Sequence, residues 1–404
     1  MSNGKYFIDS HCHLFNIEDI PITALLSRFI DKDMMKLYPV LAVPGIALLT
    51  AATKAREEFE KFKPFLLFFE RRIADNIALL MDDMDKALVD SDIPIEGGYR
   101  DRTRILTPLI MDFQVEVSHK KVDYQQKRLT DAIKSLNKRL KDRSYVLLPF
   151  AGYDLRKLKD IDTFFEKHKF RQAGDALESG KIAGLKLYPP IGFNPGKKEY
   201  LPFFRKLAKA QVPVTAHCQP GSYKIHSSED IEGFTHPRNW KKVLDDDKAR
   251  KLRINFAHFG GEDEVDETTT FTLRNFGSSL YELKREDTWT YWIVRLLKDY
   301  PNTYADISAF NYKKRSAVNS LGSLLLLDEE GKLSNPAAGA EDHPLKEKLI
   351  WGSDYPMHLH DFPSYQDLFD NFLKAILEND AEFSNKQKIL ENMICTNPKE
   401  FLQL

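Results

Sequence analysis

Eight short apolar runs punctuate this chain: Tyr6–Asp9, Ile105–Asp112, Tyr145–Phe150, Ile182–Tyr188, Val212–Ala216, Arg253–Ala257, Thr303–Ile307 and Leu349–Gly352. They are rich in Val, Ile, Leu and Phe, the composition of strands buried on both faces. Between them lie longer amphipathic stretches such as Asp123–Lys141, Leu201–Lys209 and Thr288–Asp299, which read as helices. Strand, helix, strand at this spacing predicts parallel βαβ units. Eight such units predict a closed (β/α)8 ring, the TIM barrel, so the expected fold class is α/β. An open, doubly wound sheet alternates in the same way, but no G-x-G-x-x-G turn follows the first run.

Length and charge fit that picture. A chain of 404 residues exceeds an average domain, yet barrels run this long as single domains, so residues 1–404 are read as one. With 59 basic and 60 acidic residues the formal net charge is -1, which gives no electrostatic reason to expect nucleic acid or an anionic membrane as partner. Three cysteines, Cys12, Cys218 and Cys395, do not make a disulfide framework, and a reducing, cytoplasmic compartment is expected. Residues Met1 to Asp9 hold no long apolar segment of the secretory kind. The longest uncharged run, Leu37–Thr53, has 17 residues with two prolines and a glycine, too short and broken for a spanning helix.

Two intervals are too long for simple crossovers. Residues 15–103 separate the first and second runs and carry helical material at Ala51–Phe62 and Arg71–Leu88. An insertion after the first strand leaves the barrel at its catalytic face, so it is read as a cap or lid. The other is Gly221–Leu252, after the fifth run. Glu262–Thr270, acidic and then threonine-rich, is read as a surface loop.

The chemistry concentrates where runs end. His11 and His13 close the first run, and residues two apart on a strand face the same way, so both imidazoles can grip one ion. Composition alone, 11 histidines in 404 residues, would give about 0.3 H-x-H pairs. The pair therefore needs support, and other run ends supply it: His217, His258, Asp354 and Lys186. Strand ends are where barrels place catalysis. Imidazoles with a carboxylate suit Zn2+, Mn2+ or Fe2+, and such an ion brings a bound water toward a pKa of about 7. A carboxylate beside that water can take its proton and deliver it to a leaving group, and Asp354 is read as the one acidic residue so placed, hence catalytic.

The chain resembles the amidohydrolase superfamily, in its amidohydrolase-related branch. The residues that carry the likeness are Asp9-Ser10-His11-Cys12-His13, Leu148–Asp154, Gly184–Pro190, Thr215-Ala216-His217-Cys218, Phe256–Gly261, Gly352-Ser353-Asp354-Tyr355-Pro356 and Asn397–Leu402. The likeness spans about residues 5–15 and 104–404 and leaves the long insertion unmatched. It implies that His11, His13 and Asp354 bind a first divalent metal, with zinc the first choice. It further implies that His217 and His258 complete a one- or two-ion site, with a carboxylated Lys186 bridging two ions. In one-ion members His217 is a ligand, His258 faces the substrate and Lys186 stays a cation. The two-ion form is the expectation here.

Tyr188 is a candidate substrate contact, and Tyr223, His226, His236, His358 and His360 are weaker ones, while His119, His168 and His343 read as solvated. The expected activity is hydrolysis of an amide, ester or lactone in a small molecule. The alternative is decarboxylation of an aromatic or enol acid, and a barrel that only binds is the third reading. A homodimer is the assembly considered.

Overall fold

In a computed structural model the residues described are 6–16, 19, 68, 70–90, 101–113, 122–220, 231–276, 286–333 and 342–404. Eight strands appear, one in each expected run: β1 Tyr6–Cys12, β2 Thr103–Pro108, β3 in two segments (Tyr145–Leu147 and Phe150–Tyr153), β4 Gly184–Leu187, β5 Val214–His217, β6 Ile254–Ala257, β7 Thr303–Asp306 and β8 Leu349–Ile350. Every neighbouring pair is parallel. Between the two segments of β3 stands Pro149, which has no N–H to give a ladder. The Ile110 N–H donates to the Phe150 carbonyl (3.1 Å) and carries the pairing past the gap. At the other seam the Ser10 N–H donates to Trp351 O (3.1 Å), the Asp354 N–H to His11 O (2.7 Å) and the His13 N–H to Tyr355 O (2.6 Å), joining β1 to the chain that continues β8.

Helices follow the strands. Those used below are α1 Ile73–Asp90, α2 Val122–Ser135, α3 Ile161–His168, α4 Leu201–Lys209, α5 Glu262–Phe276, α6 Trp289–Asp299, α7 Tyr365–Leu377 and α8 Asn397–Leu402. The hydroxyl of Thr288 caps α6 by accepting from the Tyr291 N–H (3.3 Å). The predicted helix Asp123–Lys141 is broken at Leu136, after which a short second helix, Asn137–Asp142, begins.

One expectation is corrected. Glu262–Thr270 is not a loop: it lies in α5. Its acidic residues Glu262, Asp263 and Glu264 fill the first turn, where the helix dipole favours them, and Thr268 and Thr269 are fully buried. The threonines thus mark a packed face, with Thr268 donating to the Thr288 hydroxyl (2.8 Å). Within the long insertion, residues 73–90 form α1, which packs against α2 and α7 in the outer ring. Arg143 and Tyr145, at the start of β3, hold it there: the Tyr145 hydroxyl donates to Asp85 (2.7 Å). Ala51–Phe62 and Leu37–Thr53 lie outside the described residues, as do Tyr223, His226 and His119.

The ring interior is layered. Along β7 the inward face reads Tyr304, Asp306 and then Ser308 beyond the strand end, from bottom to top. Tyr304 joins Ile8, Ile105, Phe150 and Ile350 in an apolar lower layer, drawn from five strands. Phe401 of α8 plugs it from below, 6.2 Å from the Phe150 ring and 5.5 Å from the Tyr304 ring. The layer above is polar.

Candidate metal centre

His11, His13 and Asp354 meet at the top of the barrel, and their ligand atoms lie within 4.8 Å of one another. Asp354 Oδ1 is 3.5 Å from His11 Nε2 and 3.3 Å from His13 Nε2. Each ring is turned by a bond from its far side. His11 Nδ1 lies 2.9 Å from Asp306 Oδ2, and His13 Nδ1 lies 3.0 Å from the Leu109 carbonyl. A carboxylate and a carbonyl only accept, so both Nδ1 atoms carry hydrogen and both Nε2 atoms keep a lone pair. His11 Nε2 is buried and has no hydrogen-bond partner among the described residues. Two inward lone pairs beside a carboxylate oxygen fit a divalent cation of the zinc or manganese kind.

The local backbone is bent to make this arrangement. The β1–β2 register shifts between Asp9 and Cys12, which brings the histidines round to the top. Asp354 and His258 sit at left-handed φ of 52° and 70°, conformations that non-glycine residues adopt at some cost and that recur at functional sites. Gly352 leaves room for His11, since an added Cβ there would stand 2.5 Å from His11 Cβ. Asp9 clasps the seam by accepting from the Ser353 N–H (3.0 Å), the His11 N–H (3.2 Å) and the Tyr365 hydroxyl (3.1 Å). Burial pushes its carboxyl up to about 6.

His258 and His217 extend the cluster. His258 Nε2 faces His217 Nδ1 at 3.2 Å, and the His258 ring is tilted against His11 at 4.8 Å. Burial above all pushes His258 down to about 3, so it is neutral at physiological pH. Burial lowers His13 as well. For Asp354 burial works upward, but the imidazoles of His13, His11 and His258 around it hold the carboxyl below the usual range. Lys186 is inside the ring, 2 % exposed, and its Nζ has no hydrogen-bond partner among the described residues. Burial brings it down to about 8, against the pull of Asp306 and Asp354. Tyr188, 3 % exposed, stands edge-on to His217 (4.8 Å) and to Phe113 (5.5 Å), forming an aromatic wall.

The sequence-predicted residues His11, His13, Lys186, Tyr188, His217, His258 and Asp354 thus converge. Asp354 is not the only carboxylate at a strand end, as sequence reading held: Asp306 closes β7 and is fully buried. An aspartate closing an apolar run was the available signal. His236 stacks on Trp289 at 4.4 Å, and His358 is buried between Tyr355 and Tyr365. His168 is not solvated: it is 6 % exposed and packs on Phe164 at 4.5 Å.

Residues 8–404 match the family model described as Amidohydrolase. The chain belongs to the amidohydrolase family. Among solved structures, this family member resembles 2,6-dihydroxybenzoate decarboxylase from Rhizobium, at 14% identity over 99% of each chain with a TM-score of 0.48. It also resembles 5-carboxyvanillate decarboxylase from Novosphingobium aromaticivorans, solved with manganese and 4-hydroxy-3-methoxy-5-nitrobenzoic acid, at 13% identity over 100% of this chain and 97% of that one, with a TM-score of 0.49. Neither likeness, at such identities and scores, assigns this amidohydrolase an activity. Comparison with curated proteins finds no match. No helix among the described residues is long and apolar enough to cross a membrane.

Proposed function

We propose that this protein is a divalent-metal-dependent enzyme acting on a small carboxylic acid, and that its reaction is decarboxylation of an aromatic or enol acid. The observation that carries this reading is Lys186. A fully buried amine with no partner among the described residues is costly to keep charged, and an anionic substrate group would relieve it. His11, His13 and Asp354 would hold one ion. When bound, the ion supplies Lewis acidity toward a substrate oxygen and lowers the pKa of a coordinated water.

The protein's own groups then have distinct tasks. Lys186 orients the carboxylate. Tyr188 walls a flat ring. As the C–C bond breaks, its electron pair stays on the ring or enol carbon and CO2 departs. The carbon takes a proton, and the His217–His258 pair is the group that can hold and pass one beside the site. The one-ion form is preferred to the two-ion form with carboxylated Lys186 because His258 is already engaged at both nitrogens, by Ser308 and by His217.

Hydrolysis of an amide, ester or lactone is the competing outcome, with Asp354 as base. Metal analysis of the purified protein should give about one ion per chain, zinc by ligand preference. A panel of hydroxylated aromatic acids should then release CO2, with Lys186→Met raising KM for these acids. Turnover of neutral lactones or amides, with every acid inert, would overturn the decarboxylase reading.

A further inference from the structure

Asp306 is a carboxylate surrounded by donors. Its Oδ2 lies 2.9 Å from His11 Nδ1 and accepts from Asn255 Nδ2 (2.6 Å). Its Oδ1 accepts from the backbone N–H groups of His258 (2.9 Å) and Ser308 (3.2 Å) and from the Ser308 hydroxyl. Five donors from β1, β6 and the segments after β6 and β7 converge on one fully buried side chain. Such an acceptor must be ionised, since a protonated carboxyl would set its hydrogen against a donor.

We infer that Asp306 is the positioning residue of the centre: it commits His11 directly, and His258 through the Ser308 hydroxyl, to the tautomer with hydrogen on Nδ1. For His11 the step is immediate, because a carboxylate can only accept. For His258 it takes one link. The single hydrogen of the Ser308 hydroxyl is given to Asp306, so Ser308 Oγ must accept from His258 Nδ1, 2.9 Å away. His258 Nε2 is then bare and accepts from His217 Nδ1, which fixes the hydrogen of that contact on His217. One anion on β7 thereby orders protons on rings from β1, β5 and β6. His11, His258 and Asp306 also lie close enough together to hold an ion themselves. A cation at Oδ2 would have to displace both His11 Nδ1–H and Asn255, so the network favours the positioning role.

The consequence for metal affinity rests on His11 being a ligand, as proposed above; the tautomer assignment does not. Long-range proton–nitrogen NMR on the metal-free protein with 15N-histidine reads each tautomer, and zinc titration reads affinity. Wild type should show Nδ1–H on both His11 and His258. In Asp306→Asn the new NH2 cannot face the two backbone N–H groups on the Oδ1 side, which cannot change roles. It must face His11 and Asn255, and His11 should switch to Nε2–H, presenting a hydrogen where a ligand is needed. Zinc affinity should fall by about 10–100-fold. Ser308→Ala should instead release His258 while His11 keeps Nδ1–H. Asn255→Ala, which removes a donor to Asp306 of purely structural effect, should leave both tautomers alone. This divided pattern is one that a merely structural aspartate would not give. A bare Nδ1 on His11 in wild type, or unchanged tautomers in Asp306→Asn, would overturn the inference. Should Asp306→Asn fail to fold, the wild-type spectrum and Ser308→Ala still decide it. Wild type with both Nδ1–H groups but no zinc binding would refute the metal reading and leave the inference standing.

Discussion

The two ends of the barrel interior are built to opposite rules. Below, Ile8, Ile105, Phe150, Tyr304 and Ile350 close around Phe401, all nearly inaccessible, and this layer gains the free energy of apolar burial. Above stand His11, His217, Asn255, Asp306 and Asp354, from β1, β5, β6, β7 and the chain after β8, also buried but polar. Burying such groups costs free energy unless each is bonded, and His11 Nε2, Asn255 Oδ1 and, on β4, Lys186 Nζ have no partner among the described residues. One end stabilises the fold, and the other spends part of that stability on keeping lone pairs and charges exposed to a ligand rather than to each other.

The largest expected effect comes from the upper layer. Changing His11 and His13 together to alanine removes both inward lone pairs. Bound metal should vanish, and activity should drop by at least about a thousandfold, the scale of several kcal/mol of Lewis-acid stabilisation. The metal-free fold should keep its thermal midpoint or gain slightly, since two buried polar rings are gone. Elemental analysis and thermal melts of the same sample check this. A variant that unfolds would mean that the upper layer stabilises after all, and the contrast would break.

Phe401→Ala tests the opposite end. Its ring fills the lower layer, and its removal should cost about 3–5 kcal/mol in urea unfolding. Metal content and turnover per folded molecule should stay as in the wild type. A selective loss of metal with little loss of stability would show the two layers to be coupled.

How much of this was legible in the sequence follows the same division. The strands were readable because runs buried on both faces announce themselves, and α4 was readable to the residue because Leu201–Lys209 is amphipathic and bounded. The polar cluster was readable as a cluster because its histidines and Asp354 all stand at run ends, which the fold brings together. Asp306 was passed over although it closes a strand, because its contacts appear only when β1, β6 and β7 are brought together. Thr268 and Thr269 misled because threonine is as much at home in loops as on a packed helix face. His168 misled because its cover, Phe164, comes from one turn back on its own helix, α3.

The smallest expected effect sharpens the contrast most finely, because it concerns one buried charge. Lys186 titrates near 8 in the folded protein, against 10.5 when unfolded, because burial penalises its ammonium form. Between those values the unfolded chain binds more protons, so stability rises with pH from 8 to 10.5 on this account. Below 8 the penalty is present in full, at most about 3 kcal/mol at 1.36 kcal/mol per pKa unit. Lys186→Met keeps the length of the side chain and removes the charge. The metal-free variant should therefore be more stable than wild type at pH 7, and the gap should shrink toward pH 10.5, as urea unfolding at several pH values would measure. A variant less stable than wild type, with a deficit that deepens when dissolved CO2 is added, gives the reverse sign. That result means that the amine is carboxylated and held as an anion, and the two-ion centre with bridging Lys186 becomes the better description.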